Sequence, residues 1–331
     1  MAKKRILTGD TPTGKLHIGH YVGTLANRVK LQDEYETFII LADLHAFTTL
    51  SELPEKVRES TIEVAIDNLS VGLNPENVNI FIESQIPEIY QLASIYSMLV
   101  SHNRAMRNPT VKDEIMSKKQ GDNFSLGFVN YPVFQAADIT CVGADLVPVG
   151  KDQIPHIEQT NEIVDKFNSL YGETLVRTKA LIGEVGKLVG TDGNPKMGKS
   201  LNNTIMLSAS HEEVNEIVKN MFTDPNRIHA TDPGRVEGNP VFIYHEAFNS
   251  DQEEVEDLKQ RYLEGKVGDV EVKQKLALAL NNFLEPIRER RRYYESHRDE
   301  VIDILKQGTK VTRQEAQTTL EKVRQAMKIS Y

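Results

Sequence analysis

Short apolar runs alternate with longer amphipathic segments along the first half of the chain. The runs are too short for helices and too apolar for loops, so they predict buried strands at 5–8, 37–42, 78–82 and 146–149. The segments between them have helical periodicity and predict helices at 18–31, 54–73 and 155–170. Strand–helix alternation of this kind is typical of an α/β fold with a doubly wound parallel, Rossmann-like sheet.

The strand–helix alternation is interrupted by one helical segment and gives way to helices alone in the last part of the chain. Residues 86–135 are mainly helical and predict an insertion. From 207 to 331 the pattern is helical throughout, with a long helix over 269–295, so we divide the chain into a Rossmann-like α/β domain, 1–206, and a helical domain, 207–331. Glycines crowd into 183–200 and predict a mobile loop. Helix starts with the capping-box pattern are expected at Ser210/Glu213, Ser250/Glu253 and Thr312/Glu315.

Composition narrows the class of protein. The 331 residues are 39% hydrophobic and 26% charged, as in globular proteins of about two domains. A net charge of −9 argues against a non-specific nucleic-acid binder but allows a local basic face. Cys141 is the single cysteine, which excludes an intrachain disulfide and a cysteine zinc site. The sequence shows no apolar membrane span or signal segment, so we expect a cytoplasmic protein.

The turn after the first strand carries the first candidate site. The segment Gly9-Asp-Thr-Pro-Thr-Gly14-Lys15 matches the phosphate-binding pattern G-x-x-x-x-G-K between a strand and a helix. That pattern also requires Ser or Thr after the lysine, because the hydroxyl ligates Mg²⁺, and Leu16 stands there instead. A P-loop NTPase or kinase, with Asp43 as its metal-binding carboxylate, is therefore an alternative that lacks one ligand.

Two histidines follow at the predicted start of the helix. In His17-Ile18-Gly19-His20, the imidazoles lie on one face of the first turn, and Gly19 allows a flat group to approach the backbone. The helix N-terminus adds positive potential, so the arrangement suits a triphosphate that gains charge in the transition state. Two surface histidines or a metal pair are the alternatives, although no further metal ligands are evident nearby.

A second candidate site ends the glycine-rich loop. Lys196-Met197-Gly198-Lys199-Ser200 places two lysines three residues apart. Two ammonium groups on a loop that closes in the transition state can neutralise a pyrophosphate leaving group. A lysine pair alone is more often a solvated surface feature, so this segment gains its meaning from the histidine pair.

Together these motifs resemble the HIGH and KMSKS signatures of class I aminoacyl-tRNA synthetases, with Gly198 in place of the first serine of KMSKS. The resemblance covers nearly the whole chain and is greatest to the tryptophanyl/tyrosyl branch. Further stretches that carry it are 8–14, 42–46, 131–138, 147–153, 223–226 and 232–238.

The resemblance implies a reaction between an amino acid, ATP and tRNA. His17, His20, Lys196 and Lys199 would be the catalytic residues, and Mg²⁺ would be held through ATP without protein ligands. Residues implied to contact ATP are Thr11, Pro12, Thr13, Gly19, His20, Gly150, Lys151, Asp152, Leu188, Val189, Lys196, Met197, Gly198, Lys199 and Ser200. Within that set, Gly150 and Asp152 would face the ribose, and Leu188 and Val189 would pack on adenine.

Asp138 is the candidate residue for amino-acid recognition. It lies among small neighbours, and its carboxylate can accept the N–H of an indole ring, although a tyrosine hydroxyl could donate to the same oxygen. Gln135 also occurs in tyrosyl enzymes, whereas many tryptophanyl sequences have Met there. L-Tryptophan is the first expectation and tyrosine the alternative. Other residues implied to line the amino-acid site are Tyr131, Gln153, His45 and Asp43.

A tRNA contact is expected on the helical domain. Arg288, Arg291 and Arg292, beside Arg290 and two tyrosines, predict a patch for the phosphates and bases of tRNA(Trp). A solvated helix face paired with neighbouring glutamates is the alternative. The resemblance implies a homodimer in which the insertion contributes to the interface. A non-enzymatic tRNA-binding paralogue is the third function class considered.

Overall fold

A computed structural model describes residues 3–112, 125–150, 153–182, 188–224, 227, 229 and 231–331. Its centre is a five-stranded sheet in the order β3-β2-β1-β4-β5, with all neighbours parallel. The strands are β1 (Arg5–Asp10), β2 (Glu36–Leu41), β3 (Val78–Ile82), β4 (Leu146–Val149) and β5 (Lys179–Ile182). The doubly wound parallel sheet expected from the sequence is confirmed. The strand order reverses between β1 and β4, which places a crevice outside their carboxyl ends.

Helices cover the sheet and form most of the second half of the chain. In the first half they are α1 (Ile18–His20), α2 (Ala26–Leu31), α3 (Asp43–Leu50), α4 (Pro54–Ser70), α5 (Pro87–Ser97), α6 (His102–Ala105), α7 (Leu126–Cys141) and α8 (Ile154–Tyr171). In the second half they are α9 (His211–Lys219), α10 (Pro240–Phe248), α11 (Gln252–Leu263), α12 (Asp269–Ser296) and α13 (Arg298–Ala326). Of the described residues, none forms a helix that is both long and apolar enough to cross a membrane.

Local sequence signals placed some helix starts correctly and others wrongly. Ser210 caps α9 reciprocally with Glu213, as predicted. The prediction at Ser250 was wrong by one residue, since Asp251 accepts the N–H of Glu254 and caps α11. The prediction at Thr312 was wrong, because that residue is buried inside α13. The predicted helix over 18–31 is helical throughout but contains a π-helical segment at Tyr21–Leu25.

The core does not break at the predicted domain boundary near residue 206. Helix α13 packs along the edge strand β3, and a Cβ added at Gly308 would lie 2.1 Å from the carbonyl oxygen of Ile80. The N–H of Ile82 donates to the Thr309 hydroxyl at 3.3 Å. One hydrophobic cluster therefore extends from the sheet into the C-terminal helices. Part of the predicted insertion, 113–124, and part of the predicted mobile loop, 183–187, lie outside the described residues.

Candidate active site

A cavity of about 600 Å³ opens at the carboxyl ends of the strands, where the strand order reverses. Its floor comes from β1 and β4 and its walls from α3, α7 and the start of α8. Residues predicted from the sequence that line it are Thr11, His45, Tyr131, Gln135, Asp138, Gly150 and Gln153. A volume of this size is typical of sites for small molecules.

Asp138 forms the polar end of this cavity. It lies on α7 with Gln135 one turn before it. Its Oδ1 is buried and has no hydrogen-bond partner among the described residues. Burial, with Glu83 nearby, raises the pKa of Asp138 well above its ordinary value. A buried oxygen without a donor is costly, so this site gains free energy when a ligand supplies an N–H or O–H group.

Glu83 is a second buried carboxyl group in the cavity wall, and our sequence analysis missed it. It follows β3, and its Oε2 accepts the backbone N–H of His45 at 3.1 Å. Burial, with Asp43 nearby, raises the pKa of Glu83 to about 7. A glutamate immediately after a buried parallel strand was the signal that could have identified it.

The expectation for Asp43 needs correction. It was predicted to line the crevice beside His45, but its carboxylate instead accepts the N–H of Ser84 at 2.9 Å and the Ser84 hydroxyl at 2.6 Å. Asp43 therefore joins α3 to the turn after β3 and does not belong to the cavity wall. His45 lines the cavity as predicted, with its ring centre 5.0 Å from that of Tyr131.

The Tyr131 side chain is oriented by a histidine that was not predicted from the sequence. His156, which is buried on α8, has its Nε2 3.4 Å from the Tyr131 hydroxyl oxygen. The other ring nitrogen of His156, Nδ1, lies 3.3 Å from Nδ2 of Asn108. Tyr131 thus lines the cavity with a fixed orientation, which favours a role in substrate positioning.

The two motif histidines cap their own helix. The Gly19 N–H donates to His17 Nδ1 and the His17 N–H donates to His20 Nδ1, both at 3.1 Å. Burial, with His20 and Lys199 nearby, lowers the pKa of His17 to about 3, and burial also lowers that of His20. Both rings are therefore neutral at pH 7. Since each Nδ1 accepts a hydrogen bond, each Nε2 carries the proton and can donate to a ligand.

The lysine loop lies against the histidine turn. Lys199 Nζ donates to the carbonyl of Lys15 at 3.2 Å and to the hydroxyl of Thr13 at 3.4 Å. The side chain of Met197 occupies the space that a Cβ of Gly19 would need, 2.6 Å from the Met197 sulfur. The structure thus brings together two motifs that lie about 180 residues apart in the sequence.

The rest of the loop is fixed by a residue that our sequence analysis missed. The buried Asn203 accepts the Gly198 N–H at 2.9 Å and donates to the Lys196 carbonyl at 3.0 Å. Gly198 is in extended backbone, φ −177°, so its conformation is open to serine as well. The side chains of Lys196 and Ser200 are exposed.

The remaining residues that were predicted to contact ATP lie in different parts of the structure. Pro12 and Thr13 belong to the turn after β1. Leu188 is buried in the core, and the carbonyl of Val189 accepts the Tyr244 hydroxyl at 2.8 Å. Lys151 and Asp152 lie outside the described residues.

A buried arginine beneath the turn was missed entirely. Arg28 on α2 pairs with Asp10 at 2.6 Å and donates to the Gly9 carbonyl at 2.8 Å and to Asn68 at 2.9 Å. Burial would raise the pKa of Asp10, but Arg28 outweighs it and holds the pKa below its ordinary value. The network fixes the end of β1, where the turn to the histidines begins.

The predicted tRNA patch is wrong for two of its three arginines. Arg288 is 6% exposed and donates to the Ala209 carbonyl, and Arg291 is 3% exposed and paired with carboxylates of α4. Both point into the protein because this face of α12 packs against α4 and α9. Arg292 is exposed and pairs with Glu285 at 3.1 Å. The cluster of arginines in the sequence thus reflects internal ion pairs more than a continuous surface patch.

Comparison with known proteins agrees with this geometry. The family model for class I tRNA synthetases (W and Y) matches residues 2–285, and the chain belongs to that family of aminoacyl-tRNA synthetases. The tryptophan–tRNA ligase of Clostridium longisporum is 50% identical over 100% of this chain and 98% of its own length. The tryptophan–tRNA ligase of Treponema pallidum is 46% identical over 98% of this chain and 97% of its own.

Solved structures give the same result. The tryptophanyl-tRNA synthetase of Campylobacter jejuni, complexed with ADP and tryptophan, superposes with a TM-score of 0.88 at 31% identity, over 98% of this chain and 99% of that one. A tyrosyl-tRNA synthetase from Archaeoglobus fulgidus has a TM-score of 0.68 at 22% identity, over 88% and 90% of the two chains, and shares the fold. The P-loop NTPase alternative is thereby set aside.

Proposed function

We propose that this enzyme is a tryptophan–tRNA ligase, which activates L-tryptophan with ATP and transfers it to tRNA(Trp). The observation that carries the choice of an aromatic amino acid with a hydrogen-bond donor on its ring is the unpartnered, buried Oδ1 of Asp138 at the end of the cavity. An indole N–H directed at this oxygen satisfies it, whereas phenylalanine leaves it unpaired. Tyrosine carries a donor too, and the full-length similarity to tryptophan–tRNA ligases is what favours tryptophan.

The first chemical step needs no covalent catalysis by the protein. The tryptophan carboxylate attacks the α-phosphorus of ATP, a P–O bond forms, and the bond to the bridging oxygen breaks to release pyrophosphate. The carboxylate is already ionised, so no general base is required. Catalysis therefore depends on positioning and on stabilising the charge that develops on the phosphates.

The histidine turn and the lysine loop supply that stabilisation in our proposal. The Nε2–H groups of His17 and His20 donate to phosphate oxygens as neutral rings, and Lys199 neutralises the departing pyrophosphate with Lys196. Lys199 exchanges its present contacts with Thr13 and Lys15 for phosphate oxygens. Mg²⁺ bound to the ATP phosphates supplies additional positive charge.

The other proposed contacts keep the substrates in place. Thr11, Pro12 and Thr13 form the ATP turn, and Gly150 with Asp152 faces the ribose. Leu188, Val189, Met197, Gly198, Ser200 and Lys151 complete the ATP site in this proposal. Tyr131 and Gln153 hold the α-amino group of tryptophan, while Gln135 and His45 shape the pocket around the ring.

The second chemical step of the proposed reaction transfers tryptophan to tRNA(Trp). The terminal ribose of the tRNA attacks the adenylate, and Arg292 on α12 is the remaining candidate contact for tRNA.

We propose that the protein is a cytoplasmic homodimer whose interface includes the insertion. Met98 and Leu126 of the insertion are 77% and 83% exposed. Their exposure makes these two side chains candidate contacts of that interface.

ATP–pyrophosphate exchange, measured with each amino acid separately, tests the function. Exchange is expected with tryptophan, with tyrosine at a lower kcat/KM, and with phenylalanine, which lacks a ring donor, at a kcat/KM lower by about 10⁴-fold. Exchange with tyrosine alone would reverse the assignment. No exchange with any amino acid, despite binding of tRNA, would favour the non-enzymatic paralogue.

The affinity for tryptophan is expected to rise with pH near neutrality. Glu83 lies in the cavity wall, and its pKa is about 7 in the free protein, so the positive charge of the bound substrate elsewhere in the cavity should favour its ionised form. Protonation of Glu83 removes that attraction, so the Kd for tryptophan should be up to about tenfold higher at pH 6 than at pH 8. The chain contains no tryptophan, so fluorescence of the ligand excited at long wavelength measures binding without background.

Glu83→Gln is the matched control for this profile. The variant keeps the size of the side chain and the oxygen that accepts the His45 N–H. Its Kd should change less between the two pH values than that of the unmodified protein. A Kd for the unmodified protein that does not change between pH 6 and pH 8 would rule out a role for the ionisation of Glu83.

A further inference from the structure

Buried charges connect the long helix α12, through α4, to the backbone that follows the ATP turn. Arg291 on α12 forms ion pairs with Asp67 and Glu63 of α4, and its Nε donates to Glu295 at 2.9 Å. The side chain of Asp67 is fully buried and that of Arg291 is 3% exposed. Arg291 and Asp67 are 224 residues apart in the sequence, so the cluster connects distant parts of the chain.

Both carboxylates extend from Arg291 to the turn before the histidines. The backbone N–H of Leu16 donates to Asp67 Oδ2 at 2.7 Å. Glu63 Oε2 lies 3.6 Å from the Lys15 ammonium group. The cluster therefore binds Lys15 and Leu16, the two residues directly before His17.

The same peptide group is held from its other side by the lysine loop. The N–H of Leu16 and the carbonyl of Lys15 belong to one planar unit and point in opposite directions. Asp67 holds the N–H, and Lys199 Nζ binds the carbonyl at 3.2 Å. Fixing the N–H end fixes the direction of the carbonyl, and with it the place where Lys199 rests.

Stability alone is a weak reason for such a cluster. Burying charges costs desolvation free energy, and apolar residues of similar volume often give equal or greater stability. What charge-assisted bonds to a planar guanidinium provide is defined geometry. The geometry fixed here is that of the backbone beside the proposed ATP site.

We propose that Asp67 and Arg291 are positioning residues for ATP. Arg291 holds Asp67 in place, Asp67 orients the Lys15–Leu16 peptide group, and this group sets the position of the ATP turn and of Lys199. The inference rests on the proposed function, because it assigns a task to residues behind the proposed ATP site. Neither residue lines the cavity that contains Asp138, so we expect tryptophan binding to be independent of them.

The test compares Asp67→Ala, which removes the oxygen that accepts the Leu16 N–H, with Arg291→Met and the double variant in tryptophan-dependent ATP–pyrophosphate exchange. Each single variant should raise the KM for ATP about five- to tenfold and leave the KM for tryptophan within about twofold of wild type. Each should also lower the Tm, because the Asp67 variant takes one carboxylate partner from Arg291, and Arg291→Met leaves the buried Asp67 without its guanidinium partner. The double variant removes the Asp67–Arg291 pair and leaves Glu63 with Lys15 and Arg298, so its Tm should be no lower than that of Arg291→Met, while its KM for ATP stays raised.

A merely structural role predicts a different outcome. The KM for ATP would then remain at the wild-type value in all three variants, and only Tm and the active fraction would change. That result would overturn the proposal. A KM is independent of the fraction of folded enzyme. The KM for ATP therefore distinguishes the two roles whether Tm rises or falls.

Arg227→Met is the matched control. Arg227 is also buried, and it pairs with Asp269 at the start of α12. Asp269 lies about 33 Å from Arg291 along the axis of that helix. This variant should lower Tm without changing the KM for ATP. If wild-type protein shows no tryptophan-dependent exchange, the proposed function fails; if it is active but Arg291→Met keeps the normal KM for ATP, this inference alone fails.

Discussion

Lys199→Ala is expected to lower the kcat of tryptophan-dependent pyrophosphate exchange about 10²- to 10³-fold, the usual loss when one preorganised donor to a developing charge is removed. Lys199 is the loop lysine that contacts the histidine turn, through Thr13 and Lys15. Its charge is needed most when pyrophosphate departs, so kcat should fall much more than the affinity for ATP. Steady-state exchange with varied ATP measures both quantities.

Lys166→Ala is the control for that variant. Lys166 is exposed on the outer side of α8, so its removal changes the net charge equally without touching the turn. Its kcat should stay within about twofold of wild type. An equal loss in both variants would show that the effect arises from net charge, and an unchanged kcat in Lys199→Ala would refute the proposed role.

Asp138→Ala is expected to lower kcat/KM for tryptophan about 10- to 100-fold, since leaving the buried indole N–H without its acceptor costs about 1–3 kcal/mol. Discrimination against phenylalanine should fall as well, because no buried oxygen is then left unpaired by a ring without a donor. The KM for ATP at saturating tryptophan should change by less than about threefold. Exchange assays with each amino acid give all three quantities.

The stability of the same variant provides an independent check. In the free protein, Asp138 Oδ1 is buried without a partner among the described residues, which is unfavourable. Asp138→Ala should therefore have a Tm equal to or higher than that of wild type, although most buried substitutions lower Tm. A large drop in Tm would show that Asp138 has a structural partner and would undermine its assignment as the binding group.

Sequence reasoning succeeded where local pattern and local chemistry agree. The strands β1 to β4 were predictable because apolar runs that are buried on both faces have few alternatives. Strand β5 was missed, since Lys179–Ile182 is short and partly exposed. The histidine and lysine motifs were found because each is contiguous in the chain.

The missed residues share a different origin. Glu83, Arg28 and His156 act through contacts with residues 18 or more positions away, which no local spacing reveals. Arg288 and Arg291 were misplaced for the same reason. An arginine that pairs internally and one that faces a phosphate look alike in a sequence, and only burial separates them.

The close seating of Gly308 on β3 has a consequence for biosynthesis. Thr309, which bonds β3 through Ile82, is synthesised 227 residues after it. At ordinary translation rates that interval lasts roughly 10–45 s, during which the β3 border of the nascent sheet has unpaired backbone groups. The growing polypeptide thus passes through a stage that invites strand addition from neighbouring chains, and chaperone demand should be concentrated there.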